Sequence, residues 1–147
     1  MKTLSKILLT AGIFSTLTFN SRAQNTKQVT GGFIEYNEKE QIIRKEFEKP
    51  EYNLAINFEY DAEERIIKER YSYDINKDKK TDKIEIWKYE YNKDNQKTKE
   101  IFIIDSDADE KNDTIETRVY SYSGNKRKTT IFYDNNADGK TDKKEKF

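Results

Sequence analysis

Along most of the chain, apolar and polar residues alternate with a period of two. Ile56, Phe58 and Tyr60 alternate with polar neighbours, as do Trp87, Tyr89 and Tyr91, and Tyr71 with Tyr73. Successive side chains of a strand point to opposite faces, so this pattern in β-forming residues predicts half-buried strands. No segment carries the i, i+3, i+4, i+7 apolar spacing that an amphipathic helix needs. Short polar stretches, such as Asp61-Ala62-Glu63-Glu64 and Ser123-Gly124-Asn125, join successive runs. Such short connections make neighbours in sequence antiparallel neighbours in space.

The strand pattern itself repeats. Phe58-Glu59-Tyr60-Asp61, Tyr89-Glu90-Tyr91-Asn92 and Tyr120-Ser121-Tyr122-Ser123 recur every 31 residues, each opening a polar turn. A second run follows in each unit and ends in acid: Tyr71-Ser72-Tyr73-Asp74, Phe102-Ile103-Ile104-Asp105 and Ile131-Phe132-Tyr133-Asp134. A degenerate first unit starts at Ile34-Glu35-Tyr36-Asn37 and meets Lys49-Pro50-Glu51 where the others have acid. Repeats of this length are supersecondary units. The expected fold is all-β: an antiparallel up-and-down meander of about eight strands over residues 33–147, after a short polar segment at 24–32.

In repeat register Phe58, Tyr89 and Tyr120 align, as do Tyr60, Tyr91 and Tyr122, and Tyr73, Ile104 and Tyr133. They place an aromatic stripe on one sheet face, expected to be the core; its other use is an exposed platform for glycans. The opposite face reads as Lys, Glu, Arg and Thr.

Composition narrows the chemistry. Among 147 residues there is no Cys and no His, so disulfides, thiol nucleophiles, Ser-His-Asp triads and His- or Cys-ligated metals are excluded. Charged residues are 38% and hydrophobic ones 33%, a ratio that would suit disorder were 13% of the chain not aromatic.

Residues 1–23 read differently from the rest. Lys2 and Lys6 precede an apolar run from Ile7 to about Phe19, and Ser21-Arg22-Ala23 follows. This is the pattern of a secretory signal peptide, an apolar helix with cleavage expected after Ala23 and export to the periplasm or medium. The run is too short for a membrane-spanning helix. The whole chain has 28 basic and 28 acidic residues; losing Lys2, Lys6 and Arg22 leaves a mature net charge of −3. Interspersed, slightly acidic surfaces do not suit nucleic acid.

The acidic stretches carry the candidate chemistry. Asp134, Asn136, Asp138 and Gly139, followed by Asp142 and Glu145, satisfy the D-x-[DN]-x-[DN]-G-x5-E calcium-loop pattern at every fixed position. Side chains at positions 1, 3 and 5 converge, Gly at 6 permits the turn, the Lys140 carbonyl at 7 adds an oxygen, and an acid at 9 or 12 closes the shell. Asp74, Asn76, Asp78 and Asp82, with Glu85, repeat the spacing, as do Asp105, Asp107, Asp109 and Asp113, with Glu116. The other reading takes these Asp and Asn residues as turn formers only. Lys79 and Glu110 replace the Gly at position 6, where a side chain is costly. Three acids against three lysines cancel over 74–82; five acids against Lys111 leave −4 over 105–113; three against Lys140 leave −2 over 134–142. The second and third loops therefore gain most from a cation, and the first least. Because the flanks read as strands, position 9 is preferred to position 12 as the closing ligand.

The recurring Glu-Tyr-Asp/Asn turns together with Tyr-Asp-x-Asn-x-Asp-Gly-Lys-x-Asp around Asp134 resemble secreted bacterial β-repeats in which YD-type, RHS-like hairpins alternate with EF-hand-like DxDxDG loops. The resemblance spans roughly 55–147, and more faintly 33–54. It implies an extracellular β-repeat made rigid by Ca2+, without enzymatic activity. The leading expectation is thus an exported, non-catalytic calcium-binding protein whose surface meets an extracellular glycan or a cell-surface protein. The alternative is an ion-free structural or interaction protein, glycan- or protein-binding, of the periplasm or medium. A carboxylate-pair glycoside hydrolase would need a cleft that short regular repeats do not build.

Overall fold

The computed structural model describes residues 25–124 and 126–147, together with two short strands, β1 (Ile7–Thr10) and β2 (Ile13–Ser15). Those two pair antiparallel with each other. They are the described portion of the expected leader, and they form strand where a helix was expected; the remainder of 1–23 lies outside the described residues. Ten further strands follow: β3 (Asn25–Val29), β4 (Gly32–Tyr36), β5 (Ile42–Glu48), β6 (Asn53–Tyr60), β7 (Ile66–Asp74), β8 (Lys83–Tyr91), β9 (Lys97–Asp105), β10 (Thr114–Ser123), β11 (Lys126–Asp134) and β12 (Lys143–Lys146).

These ten form one open sheet in strict sequence order, every neighbouring pair antiparallel. The expected meander is present, and no helix occurs among the described residues. The strand number differs, ten against about eight. The additional strands, β3 (NTKQV) and β12 (KKEK), are the sheet edges, and neither has alternating apolar residues to announce it. Backbone pairing with one neighbour suffices to hold an edge strand. β3 and the start of β4 occupy the stretch expected as a polar segment.

Cross-strand partners fix the two faces. One row runs Phe58, Glu69, Trp87, Phe102, Glu116, Tyr133 across β6 to β11. The other face has the row Asn57, Arg70, Ile86, Ile103, Ile115, Asp134. The aromatic stripe is therefore real, but it is not the most buried part of the molecule. Among the described residues only Ile56, Ile84 and Ile103 are buried apolar residues, and no large side chain is fully enclosed. Two of these three isoleucines, Ile84 and Ile103, lie on the face expected to be largely polar.

With no second layer over this sheet among the described residues, its aromatics are covered by its own side chains. Lys97 Nζ lies 4.0 Å from the Tyr89 ring centre, the Arg65 guanidinium 4.8 Å from Tyr91, and Arg127 5.1 Å from Tyr120. Long basic side chains lay their aliphatic stems on apolar surface and gain cation–π attraction. Trp87 and Phe102, directly opposed, stack at 4.2 Å.

The two ends of the sheet are built differently. At one end Asn37, Asp61 and Asn92 open tight turns: each side-chain Oδ1 accepts the backbone N–H four residues on, from Gln41, Arg65 and Gln96, at 2.9 Å. Each turn closes through a left-handed residue, Glu40, Glu64 or Asn95. Here the hydroxyls of Tyr60, Tyr91 and Tyr122 reach over the preceding strand and donate to the carbonyls of Ile42 (2.8 Å), Ile66 (2.9 Å) and Lys97 (2.6 Å). The acidic loops occupy the other end.

Candidate metal centre

Each acidic loop begins on the last residue of a strand: Asp74 ends β7, Asp105 ends β9 and Asp134 ends β11. The three loops then make the same hydrogen bonds. Oδ2 at position 1 accepts the N–H at position 6: Lys79 to Asp74 at 3.2 Å, Glu110 to Asp105 at 3.0 Å, Gly139 to Asp134 at 2.9 Å. Position 3 accepts from position 5: Asp78 to Asn76 at 2.9 Å, Asp109 to Asp107 at 3.2 Å, Asp138 to Asn136 at 3.3 Å. Position 5 in turn accepts from position 7: Lys80 to Asp78 at 2.8 Å, Lys111 to Asp109 at 2.8 Å, Lys140 to Asp138 at 2.9 Å.

Position 9 locks each loop twice. The Asp82, Asp113 and Asp142 amides donate to the carbonyls of Tyr73, Ile104 and Tyr133, and their carboxylates accept the N–H of Ile75, Ser106 and Asn135 at 2.7, 2.6 and 2.7 Å. Position 6 is left-handed in every loop, with φ of 72° at Lys79, 70° at Glu110 and 84° at Gly139. Position 4 is left-handed as well, at Lys77, Ala108 and Ala137, a demand the consensus pattern does not encode.

The position-12 acids lie elsewhere. Glu85, Glu116 and Glu145 fall within β8, β10 and β12. The Tyr73 hydroxyl and Lys83 donate to Glu85 at 3.1 and 2.7 Å, Arg118 to Glu116, and the Tyr133 hydroxyl and Lys143 to Glu145 at 3.2 and 2.6 Å. Sheet pairing has drawn these carboxylates onto the aromatic face.

The middle loop stands apart. Asp105, Asp107 and Asp109 each offer a carboxylate oxygen within 4.8 Å of the others. Asp105 is only 4% exposed, and its Oδ1 has no hydrogen-bond partner. A buried carboxylate oxygen left unpaired is costly, and a bound cation removes that cost. Lys111 Nζ rests on Asp109 Oδ2 at 2.6 Å, which holds the Asp109 carboxyl below its ordinary range and raises the Lys111 amine. In the first loop Asp74 Oδ1 is likewise unpaired. That loop, however, has protein partners of its own: Asn53 Nδ2 donates to Asp74 Oδ2 at 3.0 Å, and Lys77 Nζ to the Lys49 carbonyl at 2.7 Å. In the third loop Asp134 Oδ1 accepts from Asp138 at 3.2 Å, and Lys140 Nζ lies 3.5 Å from Asp138.

Beside Asp105 lies a cavity of about 160 Å3, lined by Arg70, Ile84, Ile86, Ile103, Glu110 and Asn112 as well as Asp105. Residues from β7, β8 and β9 meet there only because the rows are in register, so no local pattern along the chain announces it. Among the described residues no helix is long and apolar enough to cross a membrane. Compared with known protein families, with curated proteins and with solved structures, the chain finds no match.

Proposed function

We propose that this is an exported, non-catalytic β-sheet protein whose acidic hairpin loops bind calcium, the middle loop foremost. The observation that carries the reading is Asp105: a buried carboxylate with an unpartnered oxygen, beside Asp107 and Asp109 within 4.8 Å. Hard oxygen donors in a tight loop without His or Cys suit Ca2+. Bound there, the ion ties the end of β9 to the loop that leads into β10 and makes that end of the sheet rigid. The pattern of 31-residue units, the resemblance to YD- and RHS-like repeats and the leader at 1–23 belong to the same reading. So does a partner at the surface, an extracellular glycan or cell-surface protein meeting the half-exposed aromatic face. Isothermal titration of the mature chain with CaCl2 tests the ion: heat is expected from the wild type and much less from Asp105→Asn. Equal heats from both, or none from the wild type, would sink the reading.

A second reading rests on an observation of its own. All three loops already satisfy their backbone N–H groups internally, through positions 1, 3, 5 and 9. Ordinary Asx-type turns behave in this way. In that case the protein is an ion-free structural or interaction protein, and calcium leaves its unfolding unchanged.

A further inference from the structure

The cavity beside the middle loop brings together two charged groups, each short of a partner. Asp105, whose buried Oδ1 has no partner, lines one side of it. Arg70, a half-buried residue, contributes a guanidinium which, unlike those of Arg44, Arg65 and Arg118, pairs with no carboxylate among the described residues. The register relates them: Arg70 opposes Ile86, Ile86 opposes Ile103, and Asp105 lies two residues beyond Ile103 on β9. Strands about 4.8 Å apart, rising about 3.4 Å per residue, put the two Cα atoms about 12 Å apart, and the long arginine side chain spans much of that gap. Ile84, Ile86 and Ile103 line the space between them, so water screens the interaction less than it would on open surface.

We propose that Arg70 is the built-in counter-charge of the middle loop and sets its affinity for calcium. The proposal rests on the calcium reading above. Without the ion, Arg70 offsets part of the −4 charge over 105–113 and favours the buried Asp105 carboxylate. With the ion, the same guanidinium faces a divalent cation across an apolar surface and repels it. Arg70 thus steadies the empty loop and weakens the filled one.

The test isolates the middle loop in the mature full chain by placing Asp78→Ala and Asp138→Ala in the other two. Calcium is titrated calorimetrically into this chain, into the same chain with Arg70→Met, and into one with Arg70→Lys. A unit charge about 10 Å from a divalent ion corresponds to about a fourfold change in Kd at the dielectric constant of water, and the weaker screening over the isoleucines raises this to about fivefold. Arg70→Met is expected to bind calcium about fivefold more tightly, and Arg70→Lys to stay within about twofold of arginine. In EDTA, Arg70→Met should melt lower than its parent and gain more from calcium. If that variant is unfolded in EDTA, Arg70→Gln supplies the Kd. An unchanged or weaker affinity in the neutral variant overturns the proposal while leaving calcium binding intact; no heat from the Arg70 parent overturns the calcium reading itself.

Discussion

The hydroxyl of Tyr89 on β8 donates to Glu69 Oε1 on β7 at 3.1 Å, while the Tyr71 hydroxyl donates to Oε2 of the same carboxylate at 2.6 Å. The contacts continue across the sheet. Lys97 caps the Tyr89 ring and pairs with Glu100 at 2.8 Å, and Arg118 reaches Glu100 at 3.2 Å from β10. Glu100 is only 8% exposed. With no second layer to pack against, this face uses polar groups to join β7, β8, β9 and β10 laterally.

Removing a hydroxyl from that network should cost stability. Tyr89→Phe and Tyr71→Phe keep the ring and delete one hydrogen bond to a charged acceptor; at half-exposed positions each is expected to lose about 1 kcal/mol. Tyr120, whose hydroxyl has no partner among the described residues, serves as the control, and Tyr120→Phe should change little. Urea midpoints of the three variants decide the matter; equal midpoints would show that the network contributes nothing.

The same tyrosines predict the alkaline limit. Burial first, and the Glu69 carboxylate second, raise the Tyr71 and Tyr89 hydroxyls well above the ordinary tyrosine range. Burial and then Glu85 push Tyr73 up to about 12. A pKa raised on folding means stability fully present below the unfolded value near 10 and lost as pH rises through the folded one. The urea midpoint should therefore hold up to about pH 9.5, fall between about pH 10 and 12, and fall less steeply in Tyr73→Phe. Absorbance at 295 nm supplies an independent check, since native chains whose tyrosines all ionise near pH 10 would contradict the structure.

How much of this was legible in the sequence depends on which residues carried a period. The alternation at Trp87, Tyr89 and Tyr91 marks β8 and its aromatic face correctly. The same stretch hides a second apolar set, because Ile84 and Ile86 occupy the alternate positions and bury the opposite face. A strand whose apolar positions move from one face to the other between Ile86 and Trp87 cannot be assigned one buried side from its period. β3 and β12 were missed because edge strands need no apolar pattern. The loops were legible through their fixed spacing, and the preference for position 9 over position 12 followed from reading the flanks as strands. Asp105 could not be singled out, since the residues beside it, Arg70 of β7 and Ile84 and Ile86 of β8, are distant in sequence.

Backbone strain in the loops gives the next prediction. Glu110 holds φ at 70° where the third loop has Gly139. A left-handed conformation costs a side-chain-bearing residue about 1 kcal/mol, and glycine avoids it at some expense in unfolded-state entropy. Glu110→Gly should accordingly be neutral to stabilising by about 0.5 kcal/mol, the opposite of glycine's usual effect in a sheet protein. The reciprocal Gly139→Ala meets no atom within 4 Å, so its expected loss of about 1 kcal/mol is backbone strain alone. Melting temperatures that moved in the opposite directions would refute this account of the turn.

Calcium should stabilise the loops unequally. The third loop satisfies every fixed position of the pattern, whereas in the first, Lys77, Lys79 and Lys80 neutralise three acids and Asn53 already engages Asp74. Extracellular modules typically bind Ca2+ with Kd of about 10⁻⁴ to 10⁻³ M. At ten times Kd, binding to the folded state alone adds about 1.4 kcal/mol. Asp134→Ala with Asp138→Ala should remove much of the third loop's share, Asp105→Asn much of the middle loop's, and Asp74→Ala with Asp78→Ala very little. The readout is the difference in melting temperature between millimolar CaCl2 and EDTA, compared across the wild type and the three variants. An increment that survives in a chain carrying all three sets of substitutions together would place the ion outside these loops. If the wild type itself shows no increment at millimolar calcium, the loops are polar turns and their shared hydrogen bonds serve the hairpins alone.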